Sequence, residues 1–343
     1  MKFSIGITKL RAVIIVAIVA VAAVSGYFYL SSAGKQPENA LLLYSIFAYK
    51  YNNGLVAAFN KDYPSIKVTV VQSPSDYLAN RALTEFTADN VQADVIMADP
   101  SALGVLKSAA GLEQYNSPQA AKYLPPFTGD GQGYIQPSLR VAPYVFLYNS
   151  KLVSPSDAPK SLADILNTKW KEKIAMVDPT LHTATLTWFA SLNGTVFKTS
   201  AEYDTFVRGL VAQKPSLSDS LQISSSVVAS GQSLIGAGYL SYVVSMAPAP
   251  LNFIPYQPLL AIAYSPALLA KAPHPNNGKL FIDWILSDKA AQVTQSQGEI
   301  PGLPGFLPNI SGIQDIMRNV VVMKPLSSNQ TTVLKAYFKT IFA

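Results

Sequence analysis

Two tyrosines three residues apart, Tyr239 and Tyr242, close a glycine-punctuated apolar stretch at residues 231–242. Glycine inside a strand pattern marks backbone that passes close to another chain segment or to a ligand. In an open, mostly parallel sheet, ligands bind in the crevice outside the carboxyl ends of the strands, so we expect both phenols at such a crevice. A phenol there can donate a hydrogen bond, stack on a flat ligand or supply a hard oxygen.

A carboxylate and a group of threonines stand at similar places in the pattern. Asp99 follows an apolar strand at an Asp-Pro turn, where it either faces the same crevice or caps the next helix. Thr180, Thr183 and Thr185 follow a later strand and precede an apolar helix. Their hydroxyls, with the free amides of the helix start, favour an anion or an oxygen-bearing ligand, although Thr180 can equally be a cap.

The elements that must position these side chains alternate between strand and helix. Strands are predicted at residues 41–45, 66–71, 93–97 and 173–177, with helical patterns between them. This alternation predicts an α/β protein with a parallel, doubly wound sheet. A long apolar strand at residues 141–148 is predicted to cross from one lobe to another.

The N-terminal segment has the pattern of a membrane anchor. Lys2, Lys9 and Arg11 precede an almost unbroken apolar run at residues 12–30. A run of this length can just cross the hydrocarbon core of a bilayer, and the preceding positive charge places the N-terminus in the cytoplasm. We therefore predict a cytoplasmic start at residues 1–11, one transmembrane helix at 12–30, a tether at 31–39, and the bulk of the chain outside the cell. If the segment is a cleaved signal instead, the protein is secreted.

The composition argues against several classes of protein. The 343 residues suffice for two domains, and 49% apolar against 13% charged residues argue against disorder. The 26 basic residues form no cluster with aromatic residues of the kind that nucleic-acid binding needs, and the chain has no cysteine. No nucleophile elbow, zinc-protease pair or phosphate loop is present, so we do not expect an enzyme. A surface structural protein, which three N-glycosylation sequons would suit, and an unrecognised enzyme are remoter alternatives.

Four segments carry a resemblance to a known family. They are residues 93–100 (Ala-Asp-Val-Ile-Met-Ala-Asp-Pro), 145–151 (Val-Phe-Leu-Tyr-Asn-Ser-Lys), 169–174 (Lys-Trp-Lys-Glu-Lys-Ile) and 279–287 (Lys-Leu-Phe-Ile-Asp-Trp-Ile-Leu-Ser). In their order and spacing, over residues 41–306, the sequence resembles the ferric-iron-type solute-binding proteins of ABC importers. The resemblance implies a type II periplasmic-binding-protein-like fold, in which two α/β lobes are joined by two crossing strands and close on a solute. Lobe 1 is then expected at residues 40–142 and 262–306, and lobe 2 at 143–261 and 307–343.

The resemblance also implies roles for individual residues. Asp99 corresponds to the acidic iron ligand of the family, the turn from Thr180 to Thr185 to its anion-binding turn, and Ser45 and Phe47 to its cleft lining. The strand at residues 260–264 is implied as the second crossing. Iron binders of this family usually have adjacent tyrosines where this chain has Tyr239 and Tyr242.

The cargo therefore stays open between three chemistries. Asp99, Tyr239 and Tyr242 would form a hard oxygen set for Fe³⁺, which would be transported cargo and not a cofactor. With neutral phenols, the same cleft would hold an oxyanion or a small organic cation such as thiamine or a polyamine. The expected partners are the solute or metal ion and an ABC permease, the protein is expected to act as a monomer, and no chemistry on the solute is required.

Overall fold

The computed structural model describes residues 38–342, which contain ten β-strands and eleven α-helices. The strands are β1 (Ala40–Ser45), β2 (Lys67–Gln72), β3 (Val95–Ala98), β4 (Arg140–Asn149), β5 (Ile174–Val177), β6 (Ser216–Ser218), β7 (Ile235–Tyr239), β8 (Leu251–Ile254), β9 (Leu259–Leu268) and β10 (Val320–Val322). The helices are α1 (Tyr49–Asp62), α2 (Ser75–Thr87), α3 (Pro100–Ser108), α4 (Thr183–Leu192), α5 (Ser200–Ala212), α6 (Leu221–Ala229), α7 (Tyr242–Ser245), α8 (Pro275–Ile285), α9 (Asp288–Ser296), α10 (Ile313–Ile316) and α11 (Ser328–Ile341).

The strands lie side by side in the order β2-β1-β3-β9-β4-β7-β5-β6, with β10 paired to β9 and β8 paired to β4. Within lobe 1, β1 runs parallel to both β2 and β3. Within lobe 2, β5 runs parallel to both β6 and β7. The alternation of strands and helices therefore gives a parallel sheet in each lobe, as the sequence predicted.

Two long strands, β4 and β9, join the lobes. Residues 140–143 of β4 pair antiparallel with residues 261–264 of β9. Beyond this shared section, β4 continues into lobe 2 beside β7, and β9 continues into lobe 1 beside β3. The sheet is consequently mixed, because β4 runs antiparallel to β7 and β9 runs antiparallel to β3. The two crossings implied by the resemblance are confirmed, and the lobe boundaries predicted at 142–143 and 261–262 fall inside them.

Each lobe has an aromatic core that fixes its helices. In lobe 1, Phe59 of α1 packs against Phe281 and Trp284 of α8 at ring-centroid distances of 5.3 and 5.4 Å. In lobe 2, the fully buried Trp188 of α4 stacks on Tyr144 of β4 at 4.7 Å. Burying such large rings is a main source of stability, so these contacts anchor α1 to α8 and α4 to β4.

The glycines of β7 serve the packing of a helix. A Cβ on Gly236 would lie 2.5 Å from Cγ2 of Val228, and one on Gly238 would lie 2.6 Å from Oγ of Ser225. Val228 and Ser225 belong to α6, which covers this strand. Glycine in this strand was expected where the backbone passes close to another chain segment or to a ligand. At Gly236 and Gly238 the close neighbour is another chain segment, helix α6.

The N-terminal predictions are not addressed by the described residues. The predicted cytoplasmic start, the transmembrane segment at 12–30 and most of the tether lie outside residues 38–342. Within that range, no helix combines the length and the apolar character that a membrane span requires.

Candidate functional site

A cavity of about 350 Å³ lies between the two lobes. Lobe 1 lines it with residues that follow the carboxyl ends of its strands: Ile46 after β1, Ser75 after β2 and Asp99 after β3. Lobe 2 contributes the start of α4 and the last residue of β7, Tyr239. A cavity of about 410 Å³ lies elsewhere, beside Phe197 and Tyr256, but none of the predicted site residues lines it. The cavity between the lobes, here called the cleft, is therefore the candidate site.

Asp99 has both of the roles that the sequence left open. Its Oδ1 accepts hydrogen bonds from the backbone amides of Ser101 at 2.9 Å and Ala102 at 3.1 Å, which makes it the N-cap of α3. Its Oδ2 accepts a hydrogen bond from the hydroxyl of Ser75, and the side chain lines the cleft. These hydrogen bonds hold the Asp99 side chain in one orientation, because Oδ1 must face the amides at the start of α3 to cap the helix.

Only one of the two tyrosines predicted from the β7 pattern reaches the cleft. Tyr239 lines the cleft, whereas Tyr242 begins α7 and is not among the cleft residues. Their rings contact each other edge to face at 5.6 Å. Tyr239 instead shares a polar contact with Tyr264 of β9, whose phenol oxygen lies 3.4 Å away. The phenol pair at the cleft is thus Tyr239 and Tyr264.

The environment keeps both phenols neutral. Burial raises the pKa of Tyr264 to about 12, and the nearby charge of Arg140 acts in the opposite direction. Burial and the neighbouring Tyr264 raise the pKa of Tyr239 well above 10. At neutral pH the pair therefore presents hydroxyl groups, and only a bound cation of high charge would draw off their protons.

The threonine turn contributes one of its three predicted residues to the cleft. Thr183 lines the cavity. Thr180 points back to Asp178, which accepts bonds from both its amide and its hydroxyl at 2.7 Å. Thr185 is fully buried, with Oγ1 3.0 Å from Nδ1 of His182 and 3.2 Å from the phenol oxygen of Tyr144. Part of the predicted anion cradle is therefore occupied by contacts within the protein.

His182 caps α4 and lines the cleft. Its Nδ1 accepts a hydrogen bond from the backbone amide of Thr185 at 3.3 Å. Burial lowers the pKa of this imidazole, and the charge of Asp219 opposes the shift. Burial favours the neutral ring. Because Nδ1 accepts a hydrogen bond, the proton of the neutral ring is on Nε2.

Ser45 and Phe47 support the cleft without being among its lining residues. Ser45 is fully buried and its hydroxyl donates to Oδ1 of Asn52 at 2.7 Å. Phe47 is buried against Tyr51 and Tyr264, with centroid distances of 5.1 and 5.4 Å. Of this segment, Ile46 reaches the cavity. Helix α1 begins at Tyr49, two residues after Phe47.

Several cleft residues were not singled out by the sequence. They include the hydroxyl-bearing side chains Ser75, Ser101, Thr187 and Tyr264. For Tyr264 a signal existed, because Ile262 and Tyr264 alternate along a predicted crossing strand and so share one face. Both of these residues line the cleft.

The charged residues that line the cleft are acidic. Asp76 and Asp99 are lining residues, and no Lys or Arg is found among the described residues that enclose the cavity. Within residues 38–342, no cluster of three or more His, Asp or Glu side chains could hold a metal ion. A metal at this site would therefore depend on phenol oxygens in addition to a carboxylate.

Comparison with known proteins identifies the family. The family model described as bacterial extracellular solute-binding protein matches residues 48–292. Comparison with curated protein sequences gave no significant match.

Three solved structures illustrate the shared fold. The iron-bound HitA of Pseudomonas aeruginosa is 20% identical, with a TM-score of 0.71 over 89% of this chain and 99% of that chain. The substrate-binding protein of an ABC transporter from Agrobacterium tumefaciens is 14% identical, with a TM-score of 0.74 over 91% and 96%. AfuA of Actinobacillus pleuropneumoniae, solved with fructose-6-phosphate, is 17% identical, with a TM-score of 0.69 over 89% and 99%.

These matches confirm the resemblance seen in the sequence and the two-lobed periplasmic-binding-protein fold. The family match covers well over half of the chain, including both crossing strands and every residue that lines the cleft except Ile46, Met323 and Pro325. The chain belongs to the bacterial extracellular solute-binding protein family.

Proposed function

We propose that this protein is the solute-binding component of an ABC importer, which closes its lobes on a small solute and delivers it to a permease in the membrane. The observation that carries the proposal is the cleft, which both lobes line beyond the carboxyl ends of their strands. The structural likeness to the substrate-binding protein of the Agrobacterium transporter supports it. The role requires no chemistry on the solute, and the protein acts as a monomer.

The cargo that the cleft fits best is a cation. Asp99 and Asp76 supply negative charge, and no basic side chain stands among the described lining residues to attract an anion. Charged groups of one sign in a cleft raise the local concentration of ligands of the opposite sign. This balance favours a cation over the oxyanion alternative, although AfuA shows that the fold can also hold a phosphorylated sugar.

Ferric iron is the candidate that the phenol pair favours. Tyr239 and Tyr264 place two phenol oxygens 3.4 Å apart in the same cleft as Asp99. Two phenolates and a carboxylate are hard oxygen ligands of the kind that Fe³⁺ prefers. HitA, whose structure contains iron, shares the fold. In this proposal Tyr264 takes the place that the sequence analysis gave to Tyr242.

A small organic cation is the candidate that the volume favours. At about 350 Å³ the cleft has room for more than a single ion, and it lies within the usual range for small-molecule pockets. Ile46, Leu181 and Ile262 give it apolar walls, and the two tyrosine rings can stack on a cationic group. Thiamine and spermidine are suitable probes of this class.

Tethering to the membrane is a separate part of the proposal. We propose that residues 12–30 hold the protein at the outer face of the cell membrane, or that the mature protein is released if this segment is cleaved. Membrane fractionation followed by intact-mass analysis would distinguish an anchored full chain from a shortened secreted one.

Thermal unfolding of the full chain with and without ligands tests the function. The probes are ferric citrate, thiamine, spermidine, phosphate and molybdate. A ligand present at 100 times its dissociation constant adds roughly 2.7 kcal/mol of stability, which is a readily measured shift. A shift with ferric citrate and a coloured complex supports iron, and a shift with thiamine or spermidine supports an organic cation. A shift with phosphate or molybdate alone would contradict the cation proposal, and no shift with any probe would count against a receptor for these solutes.

A further inference from the structure

Three N-glycosylation sequons lie outside the cleft. Their asparagines are Asn193, Asn309 and Asn329, in the sequences Asn-Gly-Thr, Asn-Ile-Ser and Asn-Gln-Thr. All three asparagines are exposed, and none of them lines the cleft. A sequon carries a sugar only where its asparagine and the hydroxyl two residues later can meet a transferase together. The local conformation therefore decides between the three.

Asn193 ends helix α4 and begins a turn that is open on its outer side. Its backbone is extended, with φ −71° and ψ 124°, and Gly194 follows with φ +79°. The amide of Gly194 donates to the carbonyl of Phe197 at 2.8 Å, which closes the turn. Nothing lies within 4 Å of the position that a Cβ on Gly194 would occupy. The first half of this sequon therefore faces open space.

The turn does not require an asparagine at residue 193. The positive φ of Gly194 favours glycine at that position, but the φ of Asn193 is one that any residue adopts. The hydrogen bonds of the turn run through its backbone, including one from Nζ of Lys198 to the carbonyl of Thr195 at 2.7 Å. Within residues 38–342, the side chains of Asn193 and Thr195 make no hydrogen bond. Both functional groups of the sequon are thus left for a partner outside the chain.

The other two sequons are held in less suitable conformations. Asn329 and Thr331 lie in the first turns of α11, which starts with a capping box. Residues two apart in a helix do not face each other, so this asparagine and this hydroxyl cannot meet one active site while the helix is formed. Asn309 stands between Pro308 and Ile310, which are both buried and hold the bend against the protein.

Asn193 lies at the far end of the helix that lobe 2 contributes to the cleft. His182 and Thr183, at the start of α4, line the cleft, whereas Asn193 is the C-cap of the same ten-residue helix. At ~1.5 Å per residue, the two ends are about 15 Å apart. A group attached to Asn193 would therefore leave the cleft open to a solute.

A shallow apolar cavity of about 380 Å³ adjoins the turn. Asn193 is among its lining residues, together with Leu326, Val333 and Leu334. Val333 is 59% exposed. Sugars attached to Asn193 would extend over this apolar surface and shield it from solvent.

We propose that Asn193 carries an N-linked oligosaccharide when the protein is outside the cell. The co-reactant is a lipid-linked oligosaccharide, used by a membrane oligosaccharyltransferase of the host. Nδ2 of Asn193 forms a bond to the anomeric carbon of the first sugar, the bond from that carbon to the lipid phosphate breaks, and the released phosphate takes the electron pair. The amide nitrogen gives up one proton, and nothing is oxidised or reduced. The proposal rests on the export that is part of the proposed function, but not on the cargo.

Peptide mapping by mass spectrometry tests the proposal on the full chain purified from its own cells. The peptide that contains Asn193 should carry the added mass of hexose or N-acetylhexosamine units, at a higher occupancy than the peptide that contains Asn329. Thr195→Ala should abolish the added mass although Asn193 is still present, and Thr195→Ser should restore it. Asn329→Gln is the matched control and should leave the modification of Asn193 unchanged. An unmodified Asn193 in the wild type, or an added mass that survives Thr195→Ala, would overturn the proposal.

Two further measurements separate this inference from the proposed function. Protease added to intact cells should digest the protein if it is exported. An unmodified Asn193 on a digestible protein refutes the modification alone, whereas an unmodified Asn193 on a shielded protein refutes the export as well. Asn193→Gln should bind the ligand that stabilises the wild type with an affinity within about twofold of the wild type, because separated sites act independently. A much larger loss, repeated in Thr195→Ala, would contradict the separation of this site from the cleft.

Discussion

The phenol oxygens of Tyr239 and Tyr264 lie 3.4 Å apart although their strands do not pair with each other. Both strands pair with β4, on which Tyr144 stands opposite Tyr239 and Arg140 stands opposite Tyr264. Tyr239 is the last residue of a lobe 2 strand, whereas Tyr264 belongs to a strand that continues into lobe 1. The pair therefore lies where the two lobes join, so that a solute bound to both phenols would contact the crossing strand β9 as well as lobe 2.

Tyr264→Phe should weaken binding of the cation that stabilises the wild type. Loss of a single hydrogen bond would reduce the affinity about 2- to 10-fold, and loss of a phenolate ligand would reduce it further and remove the colour of a ferric complex. The ring would stay packed on Phe47, so the fold should be retained. Isothermal titration calorimetry measures the affinity.

Tyr242→Phe is the matched control for this prediction. It removes a phenol of the same type from a ring that touches Tyr239 but does not line the cleft. Its affinity should equal that of the wild type. A loss with Tyr242→Phe as large as that with Tyr264→Phe would return the site to the pair expected from the sequence.

Asp99→Asn should remove most cation binding while leaving the fold intact. The change removes the charge, and a hydrogen bond to a charged group contributes about 1.5–3 kcal/mol, or roughly 10- to 150-fold in affinity. Asn is as good an N-cap as Asp, so α3 should remain capped through the amides of Ser101 and Ala102. Binding and thermal unfolding of the same sample separate the two effects.

Asp99→Ala completes this comparison because it removes the cap as well as the charge. It should lose the same affinity and in addition about 1 kcal/mol of stability. If Asp99→Asn bound the cation as tightly as the wild type, the carboxylate would be only a helix cap, which was the alternative that the sequence left open.

The sequence predicted the elements well because local patterns determine them. The apolar strands and the helices between them follow from periodicity, and Asp99 could be placed at a strand end from its neighbours alone. The second crossing strand, at residues 260–264, was implied by the family resemblance. Helical periodicity also explains Thr185, since it lies three and four residues before the buried Trp188 and Phe189 on the inward face of α4. That signal was available and favours a core position over a cleft position.

The phenol pair could not be predicted in the same way. Tyr242 is near Tyr239 in the chain, but the turn at Leu240 and Ser241 starts a new helix and carries Tyr242 off the cleft. Tyr264 is distant in sequence and reaches Tyr239 only because β4 lies between their strands. The order of strands in the sheet is a property of the whole fold, so a residue contact that depends on it has no local signature.

Gly236→Ala should destabilise the protein by about 1–3 kcal/mol, the usual cost of overpacking a core. The new methyl group would meet Cγ2 of Val228 at 2.5 Å and the backbone oxygens of Ala175 and Ser224 at 3.2 Å. Backbone oxygens cannot move aside without disturbing β5 and α6. Urea unfolding monitored by circular dichroism gives the change in free energy.

Gly104→Ala provides the opposite expectation in the same assay. Gly104 lies inside α3, and nothing stands within 4 Å of the position that its Cβ would occupy. Alanine should therefore raise stability by about 0.5–1 kcal/mol through its better helix propensity. If Gly236→Ala and Gly104→Ala changed stability equally, the close contact between β7 and α6 could not explain the glycine at residue 236.

His182 should make the stability of the protein depend on pH in the acidic range. Burial lowers the pKa of His182 in the folded state below its ordinary value near 6.5. Between the folded and unfolded values, the unfolded chain binds more protons, so the free energy of unfolding falls as the pH drops below about 6.5. Protonation would also remove Nδ1 as the acceptor for the amide of Thr185.

The variant His182→Asn keeps a capping side chain without this titration. The free energy of unfolding of the variant, relative to that of the wild type, should therefore increase from about pH 8 to about pH 5 in urea unfolding. An equal difference between the two proteins at both pH values would contradict the role of His182 as a half-buried, neutral cap.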